Sequence, residues 1–298
     1  MANRATTIEQ QKLKLKSRGV IINDEKYADE ILKHIGYYHL GFYFFPFEKT
    51  YPLLNKKRKH DVIDDTRFED AVALHSFDCD LRCILLKYTS QIELAFRTSV
   101  TYHLSTKYSS KPCWFLDRTI VAEDVINEIK SGYPNLRKNA AIRNHHVNHR
   151  KSKYAPAWKT LEFETLGVIQ KLYEGIVRVD DKLPVNRQFN IPTTSVFINY
   201  IDAIRQLRNA CAHGNIIYDI RLSKSIKPGP AGNFVGAKRQ RLAGLLGITR
   251  YMLKQISSAT ADEMWKEVGS CFMNFFIKQP KLKGIVERTT EVNIADFS

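Results

Sequence analysis

The stretch VFINYIDAIRQLRNACAHG, residues 196–214, sets the fold class, because its apolar side chains recur at the spacing of one helix face. It ends at Gly214, and glycine commonly terminates helices because it adopts left-handed backbone angles without strain. The sequence therefore predicts a helix from Thr193 to His213. Helical periodicity continues along almost the whole chain, without alternating strand–helix units or a phosphate-binding glycine motif. We therefore predict an all-α protein.

The end of this predicted helix carries Arg208, Asn209 and His213 within two turns. A histidine titrates near neutral pH and can move a proton, whereas an arginine stays charged and can stabilise a phosphorane. Asn209 and His213 share a helix face, while Arg208 points more than a quarter turn away. One copy forms an open constellation that a second, facing copy would close. These residue types predict metal-free cleavage of RNA, in which the 2′-hydroxyl attacks the adjacent phosphorus.

The spacing of arginine and histidine is weak evidence by itself, because Arg97 with His103 and Arg143 with His149 show it as well. The apolar neighbours of Arg97 favour an internal packing helix. A structural role also stays open for the third instance, in which Arg208 and Asn209 cap a neighbouring element and the following histidine interacts with the helix dipole.

Composition narrows the class of partner. The chain has 298 residues, 44% of them hydrophobic, and a formal net charge of +15. This excess of cations favours nucleic acid first and an anionic membrane second, although a solvated basic surface is the alternative. Five scattered cysteines favour buried thiols in a reducing compartment. Cys79 and Cys83 are four residues apart, but no second pair has ligand spacing, so no metal or other cofactor is expected. Because neither a signal core nor a membrane-length apolar run occurs, we expect a soluble cytoplasmic protein.

The remaining pattern predicts further helices and several irregular segments. The helices are expected at Ile8 to Ser17, Glu25 to Ile35, Phe68 to Tyr108 (one helix or two), Val121 to Ile129, Asn135 to His149, Ala157 to Val177, Leu242 to Gln255 and Ala261 to Ile277. The aromatic cluster Gly36–Phe47 follows the second of these helices. The irregular segments are the basic run Lys56–His60, the connector Pro184–Pro192, the loop Ser223–Arg241 and the tail Lys281–Ser298. For the aromatic cluster, core packing and base stacking are the two interpretations.

Two basic segments are candidate RNA contacts. In the stretch from residue 143 to 154, phosphate contact is expected from Arg143, Arg150, Lys151 and Lys153, with Tyr154 stacking on a base. His145 and His149 are four residues apart, but no carboxylate lies within a turn to complete a metal site. An exposed linker helix is the alternative interpretation. The loop before residue 242 adds Lys238, Arg239 and Arg241.

With these residues identified, the chain resembles the Abi (abortive infection) proteins of the AbiD/AbiF type, a branch of the HEPN superfamily. Four groups of segments between about residues 8 and 275 carry the resemblance: Lys16–Gly19 with Ile35–Leu40 and Phe42–Phe47; Ile92–Thr98 with Leu104–Tyr108 and Trp114–Asp117; His149–Tyr154 with Pro156–Trp158, Glu162 and Thr165–Gly167; and Leu207–His213. Their order makes the match specific. One departure is Gly214, where relatives often have a second polar or histidine residue.

The resemblance implies a HEPN-type helical bundle that dimerises and joins two Arg–His motifs in one cleft. It implies catalytic roles for Arg208 and His213, an accessory polar role for Asn209, and RNA contact at His149, Lys153 and Tyr154. A helical N-terminal region (1–65) would pack on a HEPN-like domain (66–280), followed by a tail (281–298).

The function expected from this resemblance is that of an endoribonuclease in phage defence, active as a homodimer and restrained by a non-coding RNA or an antitoxin. Two alternatives stay open. One is an RNA-binding protein that scaffolds a cognate non-coding RNA without cleaving it. The other is a toxin that acts through protein contacts.

Overall fold

The computed structural model describes residues 5–54 and 57–297 and contains thirteen α-helices and no β-strand in these ranges. The helices are α1 Ile8–Lys16, α2 Glu25–His34, α3 Tyr37–Phe44, α4 Phe68–Lys107, α5 Glu123–Leu136, α6 Ala140–Asn148, α7 Ala157–Thr160, α8 Leu166–Glu174, α9 Val179–Gln188, α10 Thr194–Ala212, α11 Leu242–Lys254, α12 Ser258–Lys278 and α13 Lys283–Thr290. The all-α prediction is confirmed.

Helix α4 is the central element of the bundle. It is one helix of 40 residues, which corresponds to a length of about 60 Å. Side chains spaced three or four residues apart along it, including Leu81, Leu85 and Phe96, are fully buried. The Phe96 ring lies 5.7 Å from the Phe197 ring of α10 and 5.6 Å from the Tyr173 ring of α8. Helix α10 is therefore held along α4 by aromatic packing.

The N-terminal helices begin where the capping residues indicate. Thr7 and Gln10 form the reciprocal capping box expected before α1, and Asp24 caps α2. The aromatic cluster is partly helical, because Gly36 at φ +83° lets the chain turn directly from α2 into α3. Tyr43, Phe44, Phe45 and Phe47 are buried, which confirms core packing for this part of the cluster, whereas Tyr38 is 81% and Phe42 39% exposed.

Two predicted helices are each divided in the structure. The helix expected at Asn135 to His149 is confirmed as α6, but its predicted start is wrong: α5 continues past Pro134 to residue 136, and Asn139 then caps α6 by accepting a hydrogen bond from the Ala141 amide at 2.9 Å. The helix expected at Ala157 to Val177 is interrupted because the Thr165 hydroxyl caps a new helix, α8.

Two segments predicted to be irregular are helical instead. The connector Pro184–Pro192 begins inside α9, and burial of Val185 and Asn186 outweighs the hydrogen bond that a proline inside a helix lacks. The tail Lys281–Ser298 contains α13, where Val286 is fully buried against the core. Tertiary packing, rather than local propensity, forms both helices.

The basic run and the loop before α11 are irregular, as predicted, in the part of the chain that the structure describes. Residues 58–60 and most of Ser223–Arg241 lack regular structure, apart from a short 3-10 turn at Gly236–Arg239. Lys56 of the predicted basic run and Ser298 of the tail lie outside the described residues.

One hydrophobic core extends from Leu15 in α1 to Val292 after α13, and a small second core groups Tyr133, Ile142 and Ala155 around α6. The region around α6 is therefore a separately packed corner of the bundle.

In the described part of the chain, no helix has both the length and the hydropathy needed to cross a bilayer.

Two glycines inside helices should respond oppositely to a methyl group. A Cβ at Gly132 in α5 would meet no atom within 4 Å, whereas a Cβ at Gly244 in α11 would lie 2.1 Å from the Lys238 carbonyl oxygen. Gly132→Ala should stabilise the fold by about 0.5–1 kcal/mol through lost backbone entropy in the unfolded chain. Gly244→Ala should destabilise it by about 1–3 kcal/mol through overpacking. Urea unfolding measures both changes in stability. A stabilised Gly244→Ala protein would contradict the close approach of the Lys238 carbonyl to α11.

Candidate active site

The C-terminal end of α10 presents the Arg–His motif. The helix ends at Ala212, and the His213 amide donates a hydrogen bond to the Asn209 carbonyl oxygen at 3.0 Å. Gly214 adopts φ +69°, so the predicted glycine stop is confirmed. The side chain of His213 is exposed and that of Asn209 is partly exposed. The imidazole is therefore accessible from solvent.

The guanidinium of Arg208 is anchored to α4. Its Nε lies 2.8 Å from Oε2 of Glu93, an ion pair whose N–H is not aligned for a hydrogen bond. The other oxygen of Glu93 accepts a hydrogen bond from Arg97 at 2.8 Å. The Glu93 side chain is only 10% exposed, while that of Arg208 is 31% exposed. One buried carboxylate therefore serves two arginines and leaves one net positive charge.

Glu93 and Arg97 were not predicted as part of this site. The sequence did contain a sign of this pair. A glutamate and an arginine that lie four residues apart on a helix, with apolar residues around them, must pair when they are buried. The interpretation of Arg97 as a residue of a packing helix recognised its burial but not its partner. A histidine pairing of this arginine is not observed: His103 instead lies 3.3 Å from Gln188.

The same arginine connects the site to the turn before α8. Arg97 donates a hydrogen bond to the backbone oxygen of Glu164 at 3.2 Å. Burial, followed by repulsion from Glu128, raises the pKa of the Glu164 carboxyl to about 7. Glu162, one of the residues that carry the family resemblance, has an exposed side chain. The turn therefore contributes a backbone oxygen to the arginine pair.

A second buried carboxylate holds the segment that follows His213. Asp78 on α4 accepts hydrogen bonds from the amides of Ile217 at 3.1 Å and Tyr218 at 2.7 Å. It also accepts one from the Tyr43 hydroxyl at 2.9 Å and forms an ion pair with Arg82. The exit from α10 is thereby fixed, and with it the position of the imidazole.

A single chain does not close the motif. Within the residues that the structure describes, no hydrogen bond or ion pair joins Arg208 to His213. Within the motif, Arg208 Nη1 donates a long hydrogen bond of 3.4 Å to Oδ1 of Asn209. The guanidinium faces α4 and the imidazole faces solvent, so one chain presents the open constellation that the spacing predicted.

The residues predicted to contact RNA near α6 lie together. Arg143, His149, Lys151 and Lys153 are exposed, and the Lys153 ammonium lies 5.7 Å from the centre of the Tyr154 ring. The Tyr154 ring itself is partly buried against Tyr133, 4.8 Å away. The face of Tyr154 is therefore already occupied by protein on at least one side.

The residues predicted in the loop before α11 are largely engaged with protein atoms. Arg241 forms an ion pair with Asp219, and its side chain is only 14% exposed. Arg239 donates to the Ile226 carbonyl oxygen at 3.2 Å, and Lys238 lies 3.9 Å from Asp296. Their contact with RNA stays a prediction, and Arg241 has the least free surface of the three.

The structure is thus that of an all-α protein whose helix α10 ends in Arg208, Asn209 and His213, and comparison with known proteins identifies its family. A family model described as Abi-like protein matches residues 30–219. The chain therefore belongs to the Abi-like protein family, which associates it with abortive infection, a defence against phage. No curated protein and no solved structure matches it significantly.

Asp78 should give the stability of the fold a distinct pH dependence. Burial raises its pKa from 3.8 to about 6, despite attraction from Arg82. Because this pKa is higher in the folded chain, the stability that Asp78 contributes is fully present below pH 3.8 and is lost as the pH rises through 6. Relative to Asp78→Asn, the wild-type protein should lose roughly 3 kcal/mol between pH 3.5 and 7.5. Urea unfolding of both proteins across this range measures the difference, and parallel pH profiles would refute the assignment.

Proposed function

We propose that the protein is a metal-independent endoribonuclease of the HEPN type that acts in abortive infection. Arg208, Asn209 and His213 form its catalytic group, and RNA is its substrate. The observation that carries this proposal is an exposed imidazole one turn beyond a guanidinium that a buried carboxylate holds in place. Membership of the Abi-like family and the net charge of +15 support it.

The chemistry follows from the residue types. His213 exchanges the proton of the attacking 2′-hydroxyl or of the leaving 5′-oxygen, because an imidazole titrates near neutral pH. Arg208 stabilises the charge of the pentacoordinate phosphorus, and its ion pair with Glu93 limits the motion of the guanidinium before substrate arrives. Asn209 orients the imidazole or holds a phosphate oxygen. The products carry a 2′,3′-cyclic phosphate or its hydrolysis product.

A homodimer completes the proposed site. In one chain the guanidinium faces α4 and the imidazole faces solvent, so the two groups converge on one phosphate only if a second copy supplies the missing partner. Twofold symmetry brings the same surface from each copy to the seam. Two open constellations then become one cleft with two guanidinium and two imidazole groups.

Removal of the imidazole should abolish cleavage. His213→Ala should lower the cleavage rate at least 100-fold, and Arg208→Ala about 100-fold or more, since each removes a group that acts in the transition state. His34→Ala, which changes an exposed histidine at the end of α2, should cleave like the wild-type protein. Cleavage of total RNA with mapping of cyclic-phosphate ends, with and without EDTA, measures these rates. Full activity of His213→Ala would remove the proposal.

Subunit mixing tests the shared cleft. Copies with Arg208→Ala and copies with His213→Ala, each with its own affinity tag, should be inactive alone. The mixed dimer should regain part of the activity, because its cleft contains a guanidinium from one copy and an imidazole from the other. Tandem purification followed by the same end mapping is the measurement. An inactive mixed dimer of normal stability would show that each chain needs both groups in cis.

One observation favours a second candidate, an RNA-binding protein that scaffolds a cognate non-coding RNA. Arg208 is already ion-paired with Glu93, as expected for a residue with a structural role. The two functions differ in the fate of copurified RNA. RNA that stays intact with the wild-type protein and with Arg208→Ala alike identifies the scaffold, whereas RNA degraded only by the wild-type protein identifies the nuclease.

A further inference from the structure

A cleft of about 1030 Å³ opens between α6 and the turn that precedes α5, away from the residues of the proposed catalytic group. Its walls combine cationic, imidazole and aromatic side chains. Those used below are Lys111, Arg118, His145, His149, Trp158 and Lys159. The cleft therefore has both charged groups and apolar ring surface with which to contact a ligand.

The unusual member of the cleft is His145. Its side chain is 6% exposed, and neither ring nitrogen has a hydrogen-bond partner in the described part of the chain. Buried polar groups are nearly always paired, because an unpaired one opposes folding. The exposed His149 ring covers it, with 4.6 Å between the ring centres. An exposed ring that makes one ring contact can rotate aside, which would open His145 to a ligand.

The charge around this histidine is positive. Burial first, and then the neighbouring His149 and Lys159, lower the pKa of His145. Lys111 is paired with Asp117 at 2.6 Å, and Arg118 with Glu123 at 2.6 Å. Lys159 has no ion pair among the residues that the structure describes. An anion in the cleft would therefore meet an uncompensated ammonium group and two imidazoles.

The aromatic wall is open to solvent. Trp158 is 52% exposed, a large fraction for the residue type with the largest side chain. An exposed indole beside a cationic pocket provides a stacking surface of the kind on which bases rest. A metal ion is a poorer fit, since residues 5–54 and 57–297 contain no cluster of three or more histidine, cysteine or acidic side chains suited to holding one.

We propose that this cleft binds one nucleotide unit of an RNA chain. The phosphate lies against Lys159 and the two imidazoles after His149 rotates, and the base stacks on Trp158. This inference rests on the proposed function only in that RNA is the ligand, because it requires no cleavage.

The surface beyond the cleft favours a chain over a free nucleotide. Trp158 also lines a groove on α4 with Tyr102, which is 63% exposed, and Thr98. Thr98 is adjacent in sequence to Arg97, which shares Glu93 with Arg208. From Arg97 to Tyr102 the helix rises only about 7.5 Å. The exposed rings of Tyr102 and Trp158 therefore extend the surface of the cleft along α4, where an RNA strand has contacts that a free nucleotide lacks.

The test measures binding with ligands that cannot be cleaved. The probes are a 2′-O-methyl tetranucleotide, which lacks the attacking hydroxyl, together with 5′-AMP, adenosine and inorganic phosphate. Fluorescence titration of the full-length protein reports stacking on Trp158, and anisotropy of a labelled tetranucleotide reports affinity. Trp158→Ala and His145→Phe should each weaken tetranucleotide binding roughly tenfold, the range of one base stack. The matched control His34→Phe, at an exposed histidine, should bind like the wild-type protein.

Thermal unfolding separates a binding role of His145 from a structural one. His145→Phe keeps a ring of similar size and removes two unpaired nitrogens, so its melting temperature should equal or exceed that of the wild-type protein while binding weakens. Unchanged affinity in both cleft variants, with an intact fold, overturns the site. Equal affinity for 5′-AMP and the tetranucleotide overturns the assignment to RNA in favour of a free nucleotide. Because none of these readouts involves cleavage, an inactive nuclease and an absent cleft ligand are distinguishable results.

Discussion

Glu93 of α4 forms ion pairs with Arg97 of the same helix and with Arg208 of α10, and the second pair joins the two helices at the motif itself. A carboxylate that is mostly removed from water is costly unless cations surround it, so Glu93 constrains both arginines to its side of α4. Fifteen residues earlier, Asp78 holds the amides of Ile217 and Tyr218 in the same way. The last turn of α10 is therefore fixed from both directions by carboxylates of one helix.

This arrangement divides the motif into a fixed part and a free part. Arg208 belongs to the fixed part, because its guanidinium is engaged before any ligand arrives. His213 belongs to the free part, since it follows the last helical residue and its side chain projects into solvent. The corner around α6 shows the reverse pattern, in which a buried imidazole, His145, has no hydrogen-bond partner among the described residues and the cations around it are exposed. The anchored guanidinium of Arg208 and the unpaired imidazole of His145 are two ways of preparing a surface to bind an anion.

Sequence reasoning succeeded where local chemistry controls the outcome. The capping box at Thr7, the cap at Asp24 and the stop at Gly214 act over one turn, and each lies where it was predicted. It failed where packing overrides propensity: α9 passes through Pro184, and α13 forms in a tail without a clear pattern because Val286 is buried against the core. Such outcomes depend on contacts with residues far away in the chain.

The features of the candidate site likewise fall into those set by local sequence and those set by tertiary packing. The amino-acid sequence by itself determined the helical class, the end of α10 and the placement of Arg208 and His213 within two turns of that end, because all three depend on residues within a few turns of one helix. Only the tertiary structure decided that Glu93 anchors Arg208, that the histidine stays exposed, and that Trp158 and His145 line one cleft. Partners separated by tens or by more than a hundred residues meet through the packing of whole helices, and the spacing of residues along a single sequence does not contain that geometry.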